Sequence, residues 1–184
     1  MSTAKCCLFA AAAILALNLY VPVSHALTLN GITLEAGRGD GADLYRINVD
    51  STWMRRWFVH RGWSLGDYWE FDVGRWTSAP YDSGADSLTE IGVTPVFRLQ
   101  SETGWVAWPY LEAGIGAHLL SHTAFANRDL STAFLFGDLV GAGVVVGPGH
   151  CIDLGYRFQH LSNASIKEPN SGINFQTLRL GCRF

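Results

Sequence analysis

The sequence has little positive charge, no metal-binding motif and no signature of a soluble hydrolase. Lysine and arginine total 13 against 16 acidic residues, for a net charge of -3, so charge gives no reason to expect nucleic acid as a partner. The 6 histidines are dispersed and the cysteine spacing fits no zinc site, so neither a metal ion nor another cofactor is expected. The Gly-x-Ser-x-Gly elbow of the α/β-hydrolases is also missing.

The chain has a single long apolar run, and it lies at the N-terminus. A positive Lys5 precedes the run, and small residues at Ser24 and Ala26 follow it. This arrangement predicts a secretory signal peptide over residues 1–26 and a mature domain over residues 27–184. An N-terminal membrane anchor is the alternative, but the apolar core is short. No later run approaches the roughly 18 apolar residues that a spanning helix needs.

Only two of the 4 cysteines belong to the mature domain, Cys151 and Cys182. An exported protein can oxidise such a pair, and both residues lie near the open end of one predicted hairpin. Their positions have opposite parity along the strands, so one side chain faces in and the other out. This disfavours a disulfide.

Apolar and polar residues alternate with a period of two through most of the mature chain. This period is typical of β-strands, in which successive side chains point to opposite faces. Each segment has one apolar face, and the other face carries charged residues and many glycines. The pattern predicts eight strands, at residues 29–38, 43–55, 65–77, 87–100, 105–118, 132–146, 151–162 and 173–184.

The distribution of the two faces predicts an all-β fold, an eight-stranded antiparallel transmembrane β-barrel of the bacterial outer membrane. Charged residues such as Glu35, Arg46 and Glu112 share their face with glycines, which suits a narrow polar interior. The apolar face then meets lipid, and closure leaves no unpaired strand edge. A periplasmic lipocalin-like barrel, with the apolar face inside, is the alternative.

The connections alternate in length, as a multi-pass barrel requires. Three tight ones are expected on the periplasmic side, at residues 57–62, 101–104 and 147–150. Four others, several of them longer and polar, are expected outside the cell, at residues 39–42, 80–86, 121–130 and 162–172. Tryptophans near strand ends or on apolar faces are expected to form interfacial girdles, namely Trp53, Trp57, Trp69, Trp76, Trp105 and Trp108.

The last predicted hairpin breaks its alternation in one place. His160 and Ser162 continue the apolar face of the seventh strand, and Asn174 lies on the same face of the eighth. A hairpin register that keeps the two faces together places His160 opposite Asn174. A serine beside a histidine can attack an acyl carbonyl while the imidazole takes its proton, so these residues are candidates for nucleophilic catalysis.

Such a histidine needs an orienting acceptor, and three residues are candidates. Asn174 is the first. Asp138 is the second, because pairing of the sixth and seventh strands can bring it opposite His160; a bulge that turns Asp138 into the interior is the alternative. Glu168 in the loop is a weaker third. Backbone amides at Asn163 and Ala164 follow the serine and are candidates for stabilising an oxyanion.

The segment HLSNASIKEPNSGIN, residues 160–174, resembles a known signature, His-x-Ser-Asn-Ala followed by Pro-Asn-x-Gly-Ile, of the PagL family of lipid A 3-O-deacylases. The resemblance continues upstream through TPVF (residues 94–97), PYLEAGIGA (residues 109–117) and the Phe136-x-Asp138 motif. It covers roughly the C-terminal half of the chain.

The resemblance implies an outer-membrane serine esterase that removes the 3-linked acyl chain of lipid A, the anchor of lipopolysaccharide. It also implies that outer-membrane lipids surround the protein. It implies Ser162 as nucleophile, His160 as general base and the Asn163–Ala164 segment as oxyanion site. The family's third catalytic residue, a glutamate in its best-known representative, aligns with Asn174, so this chain lacks a charged partner there.

Two alternatives stay open: a non-enzymatic structural or adhesive barrel, and an esterase acting on another lipid or small ester. The oligomeric state is also open, with a homodimer among the choices.

Overall fold

The computed structural model describes residues 28–104 and 106–184, without the side chains of residues 53–55. The predicted signal peptide and Trp105 therefore lie outside the described residues, as does the side chain of Trp53. No helix in the described ranges is long and apolar enough to cross a membrane.

Eight long strands of the described chain close into one barrel, and each is hydrogen-bonded to antiparallel neighbours. They are β1 (Leu29–Gly39), β2 (Ala42–His60), β3 (Trp63–Ser78), β4 (Ser87–Ser101), β5 (Ala107–Leu120), β8 (Phe134–Val146), β9 (Ile152–Ser162) and β10 (Ile173–Arg183). A small hairpin of β6 (Ala124–Phe125) and β7 (Arg128–Asp129) lies in the loop before β8. The predicted barrel and its strand number are confirmed.

The predicted strand bounds differ from the observed ones chiefly at the β2–β3 turn. There β2 runs to His60, which pairs with Trp63, so the turn is two residues long instead of the predicted 57–62. The β6–β7 hairpin lies in a segment predicted only as loop. The two cysteines of the described chain are free thiols, with Cys182 exposed.

The outer wall of the barrel is apolar. Tyr45, Val73 and Leu178 are 57%, 58% and 69% exposed, although each lies within a strand of the barrel. In water such a wall would be unfavourable, whereas in a bilayer it contacts lipid tails. The lipocalin-like alternative is therefore wrong, because the apolar face is outside.

The barrel interior is filled by ion pairs. Arg157 lies 2.6 Å from both Glu70 and Glu112, and Glu112 also accepts from Arg98 at 2.7 Å and from Arg179 at 3.2 Å. All five side chains are almost fully buried. A buried charge is tolerated only when it is paired, and here each arginine is surrounded by carboxylates.

The end of the barrel that carries the longer loops is closed by an apolar cluster. Phe125 of the β6–β7 hairpin packs edge-on against Trp76, as does Phe175 of β10, with ring centroids 5.8 and 5.0 Å apart. Leu161 and Ile173 belong to the same cluster and are fully buried. The loop before β8 thus folds into the barrel mouth and supports the inner side of the β9–β10 hairpin.

The prediction of an interfacial girdle position is wrong for Trp76. Trp76 is fully buried and donates from Nε1 to Glu90 at 2.6 Å, so it belongs to the interior and not to the membrane interface. Its parity already placed it there, since Asp72 and Gly74 share its face. Trp57, by contrast, is 39% exposed near the periplasmic end of β2.

We expect Glu112→Gln to destabilise the folded barrel by about 3 kcal/mol, because it leaves buried guanidinium groups without their shared carboxylate. Denaturant unfolding of the refolded protein in detergent micelles measures this loss. Asp43→Asn is the matched control, since Asp43 pairs with Arg38 at the exposed rim and its loss should leave the unfolding midpoint unchanged. Equal midpoints for the two variants would contradict a stabilising role for the interior ion pairs.

Candidate active site

The β9–β10 hairpin places the predicted histidine and asparagine side by side. His160 is the register partner of Asn174, and its Nδ1 lies 2.8 Å from the Asn174 side-chain oxygen. Both side chains are half-buried on the outer face of the barrel, near the rim that carries the β9–β10 loop. Of the three predicted acceptors, Asn174 is the one that contacts the ring.

The neighbours of these two residues explain why the hairpin is fixed there. Leu161 pairs with Ile173, and both side chains point into the apolar cluster at the barrel mouth. Because successive strand residues alternate in direction, anchoring this pair inward turns His160 and Asn174 outward. A slip of one residue would expose two buried apolar side chains, so the register is strongly specified.

Ser162 and His160 converge on one point of the backbone, at Gly172. A Cβ atom added to Gly172 would lie 3.0 Å from His160 Cε1 and 3.5 Å from Ser162 Cβ. Gly172 has a φ of 56°, a conformation that glycine adopts without strain. The loop backbone therefore packs directly over the serine and histidine, where a larger residue would displace them.

Asp138 lies on the other side of His160. It is the register partner of His160 in β8 and its side chain is exposed on the outer face, so the alternative of an inward-turned, bulged Asp138 is wrong. Within the described chain its carboxylate makes no hydrogen bond to the ring. Glu168, the third candidate, is bound elsewhere, since its Oε2 accepts from the Asn170 backbone N–H at 3.0 Å.

The predicted oxyanion segment begins with a backbone amide that is already engaged. The Asn163 N–H donates to the Asn170 side-chain oxygen at 3.0 Å, and the Asn163 side chain donates to the carbonyls of Leu130 and Lys167. Asn163 is fully buried and locks the loop that follows Ser162. Ala164 is exposed, and its positive φ of 52° marks a turn there.

Two residues that contact the site, Asn170 and Asp40, were not predicted from the sequence. Asn170 holds Asn163 in place, and its position within the matched signature was an available signal. Asp40, in the β1–β2 turn, accepts from the Asn174 backbone N–H at 2.8 Å and from the Asn174 side-chain NH₂ at 3.0 Å. No local pattern points to Asp40, because it lies 134 residues from Asn174.

One group of potential metal ligands lies inside the barrel, away from this hairpin. Donor atoms of Asp72, Glu90 and His118 fall within 4.8 Å of one another. A cation is already present among them, since Arg46 lies 3.3 Å from Asp72 and 2.9 Å from Glu90. The guanidinium neutralises these carboxylates, so the group fits the interior ion pairs better than a metal centre.

The arrangement on the outer wall suits acyl transfer at a membrane surface. A serine hydroxyl, an imidazole held through Nδ1 and a tight turn of backbone amides are the groups that ester hydrolysis requires. They lie above an apolar wall that includes Phe158 and Leu178, which are 40% and 69% exposed. A lipid lying against that wall would bring its ester groups to the level of Ser162.

Comparisons with known proteins identify the family of the chain. The model of a family described as Lipid A 3-O-deacylase (PagL) matches residues 43–183. The lipid A deacylase PagL of Bordetella bronchiseptica is 31% identical over 165 residues, which cover 85% of either chain. That of Pseudomonas aeruginosa is 30% identical over 166 residues, which cover 90% of this chain and 92% of that protein.

A solved structure extends the likeness to the fold. The crystal structure of the outer membrane enzyme PagL matches with a TM-score of 0.74 and 27% identity, over 84% of this chain and 99% of that one. The family match spans seven of the eight barrel strands and the whole β9–β10 hairpin. The chain is therefore an outer-membrane β-barrel that belongs to the PagL family of lipid A 3-O-deacylases.

Proposed function

We propose that Ser162 and His160 hydrolyse the ester that links an acyl chain to the 3-position of lipid A. Family membership supplies the reaction and the substrate, and it argues against the non-enzymatic barrel and against another ester as substrate. The observation that supports the residues is the contact of His160 Nδ1 with Asn174 at 2.8 Å. With Nδ1 engaged, Nε2 is the nitrogen available to a serine on the same strand face.

In this reaction Ser162 Oγ attacks the ester carbonyl while His160 Nε2 takes its proton. The tetrahedral intermediate collapses, and His160 returns the proton to the departing 3-oxygen of lipid A. Water then attacks the acyl-enzyme and gives a proton to His160, which passes it to Ser162 Oγ as the bond between the acyl group and Ser162 breaks. The products are a free fatty acid and lipid A with a 3-hydroxyl.

We assign the orienting role to Asn174, because it is the residue that contacts Nδ1. Asp138 has an electrostatic role in this proposal, since a carboxylate opposite His160 favours the imidazolium that forms during attack. The turn at Asn163 and Ala164 forms the oxyanion site, with the exposed Ala164 amide as its donor and Asn163 as the residue that fixes the turn.

The position of the site on the lipid-facing wall matches the position of its substrate. Lipid A lies in the outer leaflet, so its acyl chains can extend down the apolar wall past Phe158 while the ester stays near the rim. No metal ion or cofactor takes part in these steps. Outer-membrane lipids surround the site.

We propose that one chain suffices for the chemistry, because Ser162, His160 and Asn174 all belong to one barrel. The homodimer considered from the sequence is tested by crosslinking in membranes. It would leave this assignment unchanged unless the partner's residues reached Ser162.

We expect Ser162→Ala and His160→Asn to abolish deacylation, with rates down about 10³-fold or more, because the nucleophile or its base is lost. Mass spectrometry of lipid A from cells expressing each form measures this. The unaltered protein should remove one 3-linked hydroxyacyl group, and the variants should not.

Ser165→Ala is the matched control, because Ser165 is an exposed serine in the same loop and should keep full activity. All forms must reach the outer membrane, as shown by their heat-modifiable migration in gels. Deacylation that survives Ser162→Ala would rule out Ser162 as the nucleophile.

We expect Gly172→Ala to lower kcat about tenfold or more, because the new methyl group would press on His160 and Ser162. The positive φ adds a strain of about 1 kcal/mol. Gly149→Ala separates the two effects, since Gly149 also has a positive φ, of 65°, but lies in open space at the opposite end of the barrel. Assays in detergent micelles that gave both variants the same kcat would contradict a role for Gly172 over the site.

A further inference from the structure

The active-site histidine is connected to a carboxylate through the side chain of Asn174. His160 Nδ1 lies 2.8 Å from Asn174 Oδ1, and Asn174 Nδ2 lies 3.0 Å from Asp40 Oδ2. The same carboxylate oxygen accepts the Asn174 backbone N–H at 2.8 Å. Asp40 thus holds both the main chain and the side chain of the residue that contacts the histidine.

The carboxylate of Asp40 determines the direction of both side-chain hydrogen bonds in the series His160–Asn174–Asp40. An ionised aspartate only accepts hydrogen bonds, so Asn174 must turn its NH₂ group toward Asp40. The Asn174 carbonyl oxygen must then face His160, and it too can only accept. His160 Nδ1 must therefore carry the proton, which leaves Nε2 with the lone pair that a general base needs.

Among the described residues, no acceptor other than Asp40 holds the Asn174 NH₂ group in place. An asparagine side chain can present either its oxygen or its NH₂ to a neighbour, and a flipped amide would donate to Nδ1. His160 would then hold its proton on Nε2, in the tautomer that cannot accept from serine. The remote carboxylate thus selects the tautomer that is competent for catalysis.

The barrel is built to bring Asp40 to this place. The β1–β10 pairing aligns Arg38 with Gln176, so continuing the register by two residues puts Asp40 beside Asn174. Gly39 makes the approach possible, since a Cβ atom there would collide with the backbone carbonyl of Asn174. Asp40 and Gly41 form a two-residue hairpin turn, with φ values of 51° and 82°.

Among the described residues, two further charged side chains lie beside the series His160–Asn174–Asp40, namely Arg128 and Asp138. Arg128 lies 3.9 Å from Asp40 Oδ2, and it donates at 3.0 Å to the carbonyl of Gly172, the glycine that packs over His160. Asp138 faces His160 from β8. Arg128 therefore ties the β1–β2 turn to the catalytic loop while leaving the closer hydrogen bonds of Asp40 to Asn174.

We propose that Asp40 is a positioning residue for lipid A deacylation: through Asn174 it sets the His160 tautomer and supplies negative charge to the imidazolium. The inference rests on the proposed roles of Ser162 and His160. Asp40 itself does not touch the substrate. Its effect should appear in kcat and in the pH dependence, with little change in KM.

The test uses Asp40→Asn in the full-length enzyme, assayed on lipid A in detergent micelles. Asparagine tolerates the left-handed φ and can still accept the Asn174 backbone N–H, so the turn should persist. We expect kcat to fall about tenfold or more, because an asparagine at position 40 can present either its oxygen or its NH₂ and no longer enforces one orientation of Asn174. We also expect the acid limb of the pH–rate profile to move to lower pH, because the imidazolium loses a stabilising charge.

Asp43→Asn is the matched control for charge at the same rim. Asp43 hydrogen-bonds Arg38 and has no contact with Asn174 in the described chain, so its loss should change neither kcat nor the pH profile. If Asp40→Asn also changed neither while the unaltered enzyme was active, the inference would be overturned and the proposed function would stand. An inactive unaltered enzyme in the outer membrane would overturn both.

A charge-relocation experiment separates positioning from a purely structural role. Asn174→Glu puts a carboxylate directly against His160 but also against Asp40, and the two like charges repel. Adding Asp40→Asn to this variant should raise kcat, whereas the same change lowers kcat in the unaltered chain. If Asp40→Asn lowered kcat in both backgrounds, holding the turn would outweigh the electrostatic effect of Asp40, which would refute the inference.

Discussion

The pairing of β1 with β10 is the interaction on which the rest of the molecule depends. A bilayer offers no hydrogen bonds to an exposed strand edge, so the sheet can enter lipid only when its first and last strands satisfy each other. That pairing also fixes a register between the two ends of the chain, Arg38 with Gln176. The same register delivers the β1–β2 turn to the side of Asn174. Membrane insertion and the geometry beside His160 thus follow from one set of backbone hydrogen bonds.

The location of the charged side chains follows from closure of the barrel in the membrane. Ionised side chains are costly on a wall that faces lipid, and Arg157 and Glu112 instead neutralise each other in the interior. Polar side chains on the outside are then exceptions that need an explanation. His160 and Asn174 are such exceptions, and they lie where the apolar wall meets the rim. An enzyme whose substrate is the surrounding lipid needs no pocket, because the membrane itself holds the substrate against the wall.

Much of this could be predicted from the sequence, since parity decides which face a strand residue takes. The alternation of odd and even positions predicted the barrel, its apolar outer face and polar interior, and the pairing of His160 with Asn174. The signature around Ser162 indicated the family. Parity also marked Trp76 as interior, although its apolar character suggested the interface. Asp40 could not be found this way. Its contact depends on a closure register between strands at opposite ends of the chain, and no local pattern encodes that register. The β6–β7 hairpin was missed because two-residue strands are too short to show a period.

The contact between the Asp40–Gly41 turn and Asn174 depends on the order of folding. The turn and the β9–β10 hairpin come from opposite ends of the chain, so they meet only when the barrel closes. Before the barrel closes, Asp40 is not beside Asn174, and the proposed Asp40–Asn174–His160 hydrogen bonds are incomplete. The proposed catalytic geometry is thereby coupled to closure of the barrel.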